Sequence, residues 1–192
     1  LEELAIGGTA VGTGINCHPD FAGKVIAGIS EETGARFVEA ANRFEAIAAR
    51  DAQVELMGAL NGLATALMKI GNDLRLLASG PRGSIGEITL PSLQPGSSIM
   101  PGKVNPVMSE ALMMVCARVM GNHTTITVGG QRGNFELNVM MPVMAQAILE
   151  SVSILAGAAR AFTDHCVVGI EANEARCREL LEKNPSIATA LN

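Results

Sequence analysis

One long stripe of apolar residues constrains the fold of this chain more than any other feature. Apolar side chains recur at spacings of three and four over residues 54–77, which places them on one face of a helix from about Asp51 to Ala78. The stripe consists of Val54, Met57, Leu60, Leu63, Leu67, Ile70, Leu74 and Leu77. Gly80 and Pro81 then end the helix, because Gly accepts a left-handed cap and Pro cannot continue the hydrogen-bond ladder. At about 1.5 Å per residue such a helix is about 40 Å long, so it has to pack against other long helices.

The same spacing predicts two more long helices and two short ones. A helix from Val107 to about Val128 is followed by a stripe from Leu137 to Phe162, with Pro142 near its start, where a missing amide proton is tolerated. Shorter helices are predicted from Pro19 to Glu32 and from Asn173 to Leu181.

Composition favours the same fold class. Aromatic residues make up only 3% of the chain, Trp and Tyr are absent, and Gly and Met number 21 and 10. A core short of large rings gains its contacts from closely approaching helices and adaptable Met side chains. We therefore predict an all-α fold, a bundle of long, mostly antiparallel helices.

An irregular segment at about 79–106 interrupts the helical pattern. Five of the 26 residues at positions 81–106 are prolines, and a brief strand is expected around Ile85–Leu90. A long irregular insert between helices is usually functional.

The charge, the apolar runs and the cysteines of the chain argue against nucleic-acid and membrane partners and indicate a reducing compartment. The net charge is −5 with Lys and Arg dispersed along the chain, whereas a nucleic-acid partner requires a concentrated basic surface. No uninterrupted apolar run approaches the roughly 20 residues that span a bilayer, so no membrane partner is expected. The four cysteines lie far apart, without a CxxC pair, which indicates reduced structural thiols and a reducing compartment such as the cytoplasm.

The segment GSSIMPGKVNPVMSE, residues 96–110, combines groups that suit an anion. It offers hydroxyls, an ammonium and a carboxamide from Ser97, Ser98, Lys103 and Asn105. Gly96 and Gly102 allow the loop to open and close, and the start of the following helix adds partial positive charge. These groups suit a dianion whose charge grows during reaction, although a solvated connector has a similar composition.

The string GSSIMPGKVNP resembles the signature of the fumarase/aspartase superfamily. The resemblance extends through GGTAVGTG (7–14), NRFEA (42–46), LASGPR (77–82) and GNFELN (133–138), and it covers essentially all 192 residues. It implies that residues 1–192 are part of a central helical domain, without the N-terminal domain and the upstream part, and that residues 164–192 lead towards a small C-terminal domain. It also implies a homotetramer with active sites assembled from three subunits, a small dicarboxylate substrate, no cofactor and no metal.

Position by position, the resemblance assigns roles within the signature. Ser97 matches the catalytic base, which takes a proton from the carbon next to a carboxylate and leaves an aci-carboxylate. The backbone amides of Ile99 and Met100, with the Lys103 ammonium, would stabilise the serine alkoxide. Lys103 and Asn105 match the residues that hold the substrate carboxylate.

Two further positions of the signature carry less definite roles. Glu110 matches the acid that pairs with a histidine in an upstream Thr-His motif, but His18, His123 and His165 stand in other contexts. Ser98 matches the second serine, for which a structural role in the loop and a direct role are equally open.

Other segments are interpreted without the family. The glycines of GGTAVGTG do not follow a dinucleotide-binding spacing, so we expect close packing at a helix junction. Arg132, Asn134 and Glu136 lie between two long helices, where they either line a site or cap and pair.

The resemblance leaves three functions open. GNFELN, GGTAVGTG and NRFEA are similar to the fumarase forms, which favours reversible hydration of fumarate to (S)-malate. Parts of NDLRLLASGPR and NPVMSE are similar to aspartases, so elimination of ammonia from aspartate is the alternative. A non-catalytic, oligomerising helical fragment is the third possibility. The expected compartment is the cytoplasm, or the mitochondrion in a eukaryote.

Overall fold

The computed structural model describes residues 2–80 and 83–191, and the side chains of residues 190 and 191 are not described. Pro81 and Arg82, which end the LASGPR segment, lie outside the described residues, as do Leu1 and Asn192. The fold class is all-α, as predicted. The helices are α1 (Phe21–Thr33), α2 (Arg43–Ala48), α3 (Asp51–Leu77), α4 (Val107–Gly130), α5 (Met141–His165) and α6 (Glu174–Glu182). Four two-residue strands, β1 (Glu3–Leu4), β2 (Val38–Glu39), β3 (Ile88–Thr89) and β4 (Glu171–Ala172), and two 3-10 helices, Val167–Gly169 and Pro185–Leu191, complete the described elements.

The chain divides into two compact units, and each long helix contributes residues to both. Residues 2–61 and 120–151 form the first unit, and residues 62–119 and 152–191 form the second.

In the first unit, the glycine-rich segment at residues 7–14 packs closely against α2. The backbone of Gly12 has φ +96°, and a Cβ atom there would lie 2.8 Å from the Cα atom of Phe44. Only glycine fits such an approach, because a side chain would collide with the α2 backbone. Strand β1 precedes this glycine-rich segment in the chain and β2 follows it. The two strands pair in parallel, with Glu3 opposite Val38. The close packing expected of GGTAVGTG is thus present.

Helices α4 and α5 run antiparallel in the first unit. The Asn122 amide donates to the Glu150 carboxylate (2.9 Å) and to the Ser151 hydroxyl (3.0 Å). Towards the other end of this contact, Gly129 of α4 approaches Met144 so closely that an added Cβ would lie 2.8 Å from the Met144 Cγ. Small residues and Met side chains therefore form the helix contact, as the composition suggests.

The prediction for the start of α5 was wrong by one turn. Asn134 and Leu137 exchange backbone hydrogen bonds of 3.0 and 3.2 Å in a tight bridge, so Leu137 precedes the helix. The Asn138 side chain then accepts a hydrogen bond from the Met140 amide (2.9 Å) and donates to the Gly129 carbonyl (2.9 Å). An Asn that satisfies the backbone in this way competes with helix formation, and α5 begins only at Met141.

The buried face of α3 differs from the predicted stripe. Met57, Ala64 and Gly71, seven residues apart, are buried, whereas Leu63 and Ile70 of the stripe remain 50% and 45% exposed. In the second unit, a Cβ added to Gly71 would lie 3.5 Å from the Leu112 Cδ2 on α4. Small residues thus allow the close approach, and part of the apolar stripe faces outward.

The shorter elements match the predictions with small corrections. The first helix begins at Phe21 rather than Pro19, and the last begins at Glu174 because Asn173 is its N-cap, accepting from the Arg176 amide (3.3 Å). The strand expected around Ile85–Leu90 is limited to Ile88–Thr89, which pairs antiparallel with β4.

Residues Met141–Gly169 are long and apolar enough to cross a membrane by length and composition, although Gln146, Glu150 and Ser151 interrupt the apolar run. Core helices of soluble proteins have the same composition. Within this stretch Ser151 is fully buried and accepts a hydrogen bond from Asn122, as in a helix of a protein core.

Candidate functional site

A cavity of about 800 Å³ in the second unit is the candidate site. It is bounded by the end of α3, by parts of the irregular segment and by the first turn of α4. Its polar lining residues are Asn72, Arg75, Ser79, Ser84, Thr89, Asn105 and Glu110. Among the described residues, hydroxyls, carboxamides, one guanidinium and one carboxylate therefore converge on a space large enough for a small polar substrate.

The loop at residues 96–103, here called the signature loop, ends next to Val104, which lines this cavity, and closes on itself. The Gly96 amide donates to the Lys103 carbonyl (2.9 Å), and the Lys103 amide donates to the Met100 carbonyl (3.1 Å). A Cβ added to Gly96 would overlap the Lys103 carbonyl oxygen, and Gly102 has φ +79°. Both glycines are therefore required by the closure of the loop.

Ser97 is half-buried within the signature loop, and its hydroxyl oxygen accepts a hydrogen bond from the Ile99 amide (3.3 Å). The Met100 amide instead donates to the Ser97 carbonyl (3.2 Å). Of the two amides predicted to stabilise the alkoxide, only that of Ile99 contacts the hydroxyl in this conformation. The side chains of Ser98 and Lys103 are exposed.

Asn105 and Glu110 lie on the cavity side of the signature. Both line the cavity, and both are only partly exposed. The Val107 amide donates to the Asn105 carbonyl (2.9 Å) and the Glu110 amide donates to the Pro106 carbonyl (3.1 Å), so the start of α4 fixes both residues. Glu110 stands in the first turn of α4, where the helix dipole favours a carboxylate.

The structure brings only part of the predicted set together. Among the described residues, those that line the cavity include Asn105 and Glu110 but not Ser97 or Lys103. Asn134 lies in the first unit, where its backbone forms the bridge with Leu137. This pairing involves the backbone of Asn134, and the role of its side chain stays a prediction.

Sequence reasoning missed five of the polar residues that line the cavity in the described part of the chain, among them Asn72 and Arg75 on the last turns of α3. The Arg75 guanidinium donates to the Asn72 carboxamide oxygen at 3.5 Å. A signal was present, because residues three apart on a helix that leads into an irregular insert share one face.

The cysteines play a structural part in this region. Cys166 is 2% exposed, and burial raises the pKa of its thiol. Burial likewise raises the pKa of Cys116. All four cysteines are free, as predicted, and the two buried thiols are held in the protonated, unreactive form.

Comparison with known proteins identifies the family. The family described as Lyase matches residues 1–121. The class II fumarate hydratase of Thermus thermophilus is 58% identical over 192 residues, which is 100% of this chain and 41% of that protein. The human mitochondrial fumarate hydratase is 56% identical over 192 residues, again 100% of this chain and 38% of that protein.

Solved structures agree with these relatives. The crystal structure of a class II fumarase from Schistosoma mansoni superposes with a TM-score of 0.95 and 40% identity, covering 98% of this chain and 43% of that one. The chain thus spans about 40% of the length of the curated relatives it matches.

The matched family, the identity over the whole chain and the intact signature, part of which lines a polar cavity, lead to one conclusion. This chain belongs to the lyase family of the fumarase/aspartase superfamily.

Proposed function

We propose that this chain is part of an enzyme that reversibly hydrates fumarate to (S)-malate. The observation that carries the proposal is the identity of 56–58% along the whole chain to proteins named fumarate hydratase from bacteria, plants and animals. Identity at this level spans the signature, whose Ser97, Lys103, Asn105 and Glu110 are all intact.

Ser97 is the proposed base. In the direction from malate to fumarate its oxygen takes a proton from the carbon next to a carboxylate, and the electron pair moves into that carboxylate to give the aci-carboxylate. Loss of the hydroxyl from the neighbouring carbon, with a proton, then forms water and the double bond. The hydrogen bond from the Ile99 amide to the Ser97 hydroxyl supports this role, because such a donor stabilises a developing alkoxide.

Lys103 and Asn105 are the proposed carboxylate ligands. The aci-carboxylate carries more negative charge than the substrate, so an ammonium and a carboxamide bind it more strongly than the ground state. Arg75 on the cavity wall adds a second cation that could face the other carboxylate of a dicarboxylate. In this conformation Lys103 is exposed and outside the cavity lining, so we expect the signature loop to move when substrate binds.

The active enzyme is proposed to be a homotetramer with sites shared by three subunits. The long helices support this, because each carries large apolar side chains that are exposed in the single chain. Examples are Leu63 at 50% and Ile70 at 45% on α3, Met114 at 67% on α4 and Leu149 at 70% on α5. Apolar surface of this kind is typical of subunit interfaces. Glu110 would then meet a histidine from a part of the enzyme outside this chain.

The domain assignment and the compartment are proposals of the same kind. Residues 1–192 form part of a central helical domain, with residues 164–192 leading towards a smaller C-terminal domain. The enzyme acts in the cytoplasm, or in the mitochondrion of a eukaryotic cell, since relatives include bacterial proteins and proteins named as mitochondrial.

Product analysis tests the proposed reaction. The protein at its full encoded length is incubated with fumarate, with and without ammonium ions, and the products are followed by proton NMR. Malate formed at the same rate in both samples is expected. Aspartate formed only with ammonium would establish the ammonia-lyase alternative, and a folded protein that yields neither product would favour the non-catalytic fragment.

A further inference from the structure

One wall of the candidate cavity is an irregular segment that is held in place from outside. Ser84, Ile88 and Thr89 line the cavity, and residues 84–89 are here called the wall segment. Apart from β3, a strand of two residues, this segment has no regular structure of its own. Its shape therefore depends on the groups that bind its backbone.

The start of α6 supplies most of those groups. The backbone amide of Asn173 donates to the Glu87 carbonyl (2.8 Å), and its side chain donates to the Gly86 carbonyl (3.2 Å). The Cys177 thiol also points to the Glu87 carbonyl, at 3.5 Å. On the other side, the Glu87 amide donates to the Leu77 carbonyl at the end of α3 (3.0 Å).

Arg176 binds the two carbonyls that precede these. Its Nη2 donates to the Ser84 carbonyl (2.8 Å) and its Nε donates to the Ile85 carbonyl (2.9 Å). Four consecutive carbonyls, from residues 84 to 87, thus accept hydrogen bonds from the first turn of α6 and its cap.

The remaining nitrogen of the Arg176 guanidinium, Nη1, is held by a residue of α6 itself. Its Nη1 donates to the Glu179 carboxylate (2.9 Å), whose other oxygen accepts from Lys183 (2.5 Å). The guanidinium is planar and rigid, so fixing Nη1 also fixes the direction of Nε and Nη2. Glu179 therefore aims the two donors at the wall segment.

We infer that Arg176 is a positioning residue of the active site: it sets the shape of the wall segment and, through it, the fit of the substrate. This inference rests on the proposed function for its kinetic consequence. Arg176 does not line the cavity, so its effect on the reaction passes through Ser84, Ile88 and Thr89. Because such a wall holds substrate and transition state alike, its displacement raises KM and changes kcat little.

Lysine cannot replace this arginine fully. A single ammonium can donate to one carbonyl, but it does not present two parallel donors and a third for Glu179 in one plane. The bonds from Asn173 remain in any Arg176 variant, so the wall segment loosens at residues 84 and 85 while its attachment at residues 86 and 87 persists.

Steady-state kinetics of the protein at its full encoded length test the inference. For Arg176→Ala we expect KM for fumarate to rise about tenfold while kcat falls less than about threefold. Arg176→Lys should raise KM at least about threefold. Arg178→Ala is the matched control, since Arg178 lies on the same helix and is exposed; its KM should equal that of the wild type.

Hydrogen–deuterium exchange of the same variants separates the inference from the proposed function. Arg176→Ala should speed exchange at the amides of residues 84–90 relative to Arg178→Ala. If the wild type does not hydrate fumarate, the proposed function fails and the exchange result alone decides the positioning role. If Arg176→Ala does not fold, Arg176→Lys decides it by both measurements. Unchanged KM in an active enzyme, or unchanged exchange in an inactive one, would overturn the inference.

Discussion

The irregular segment between α3 and α4 contains two stretches that are held in opposite ways. In the wall segment, the carbonyls of residues 84–87 are bound by side chains and amides from the start of α6, more than 80 positions further along the chain. In the signature loop, every hydrogen bond found among the described residues joins two members of the loop itself, chiefly through Gly96 and Lys103.

The difference separates two tasks of an active site. A cavity wall has to keep its shape before the substrate arrives, and bonds to a helix supply that rigidity. A loop that carries a proposed base and a cation can move as a unit when it is closed only on itself and flanked by glycines. The chain thus combines a tethered wall and a self-contained loop within one insert.

The largest effect is expected from Ser97, the proposed base in the signature loop. Ser97→Ala at full encoded length should lower turnover by about a thousandfold or more, because proton transfer by a positioned group contributes about 10²–10⁴ in rate. The assembly and its thermal stability should stay as in the wild type. Ser98→Ala is the matched control and should cost much less. Equal, small losses of hydration rate in the two variants would remove Ser97 from the role of base.

The next effect concerns the cation of the same loop. Lys103→Met keeps most of the side-chain volume and removes the ammonium, so packing losses should be small. A hydrogen bond to a charged group contributes about 1.5–3 kcal/mol, and more where charge grows in the transition state. We expect kcat/KM for fumarate to fall about a hundredfold. Lys24→Met on α1, also an exposed lysine, is the control. A loss below about threefold would return Lys103 to an ordinary surface role.

Disturbing the closure of the signature loop should lower kcat/KM less than removing the Ser97 hydroxyl or the Lys103 ammonium. Gly96→Ala places a methyl group against the Lys103 carbonyl oxygen and breaks the bond that closes the loop. We expect kcat/KM to fall about tenfold, since a displaced loop misplaces its groups. Gly83→Ala is the matched control, because a Cβ there meets nothing within 4 Å. Identical kinetics for the two variants would show that closure of the loop has no part in catalysis.

The smallest effect is expected from Glu179, which holds the Arg176 side chain that binds the wall segment. Hydrogen bonds from Lys183 and Arg176 lower the pKa of Glu179 from 4.5 to about 2. A group whose pKa is lowered in the folded state stabilises it above the unfolded pKa, and that contribution is lost as the pH falls from 4.5 towards 2. Because the pair is exposed, Glu179→Gln should lower Tm by only about 1–2 °C near neutral pH. The difference in Tm between this variant and the wild type should be smaller at about pH 4 than at neutral pH. A difference in Tm that becomes larger in acid would contradict the hydrogen bonds assigned to Glu179.

Long helices could be predicted from the sequence because their apolar spacing repeats over many turns. The bounds of α3 and α4 follow the spacing within a few residues, while α5 begins after Leu137 because Asn138 binds the backbone instead. The six-residue helix α2 was missed, since it is too short to show a period. Its signal was the cap, as the Asn42 side chain accepts from the amides of Phe44 and Glu45.

The candidate site could be predicted only in part. The signature gave the residues of the loop, and the structure places Asn105 and Glu110 on the cavity. The wall segment could not be anticipated, because its shape depends on Asn173 and Arg176, which are distant in the chain. The pairing of β3 with β4 is equally non-local and involves only two residues in each strand.

Hydrogen–deuterium exchange of the wild-type protein at full encoded length tests the contrast between wall and loop most directly. Amides of residues 84–90 and of residues 96–103 are compared with and without (S)-malate. We expect the wall segment to exchange slowly in both samples, and the signature loop to exchange fast without malate and more slowly with it. Equal exchange in the two segments, or a signature loop that malate leaves unchanged, would contradict the division into a tethered wall and a loop that closes on substrate.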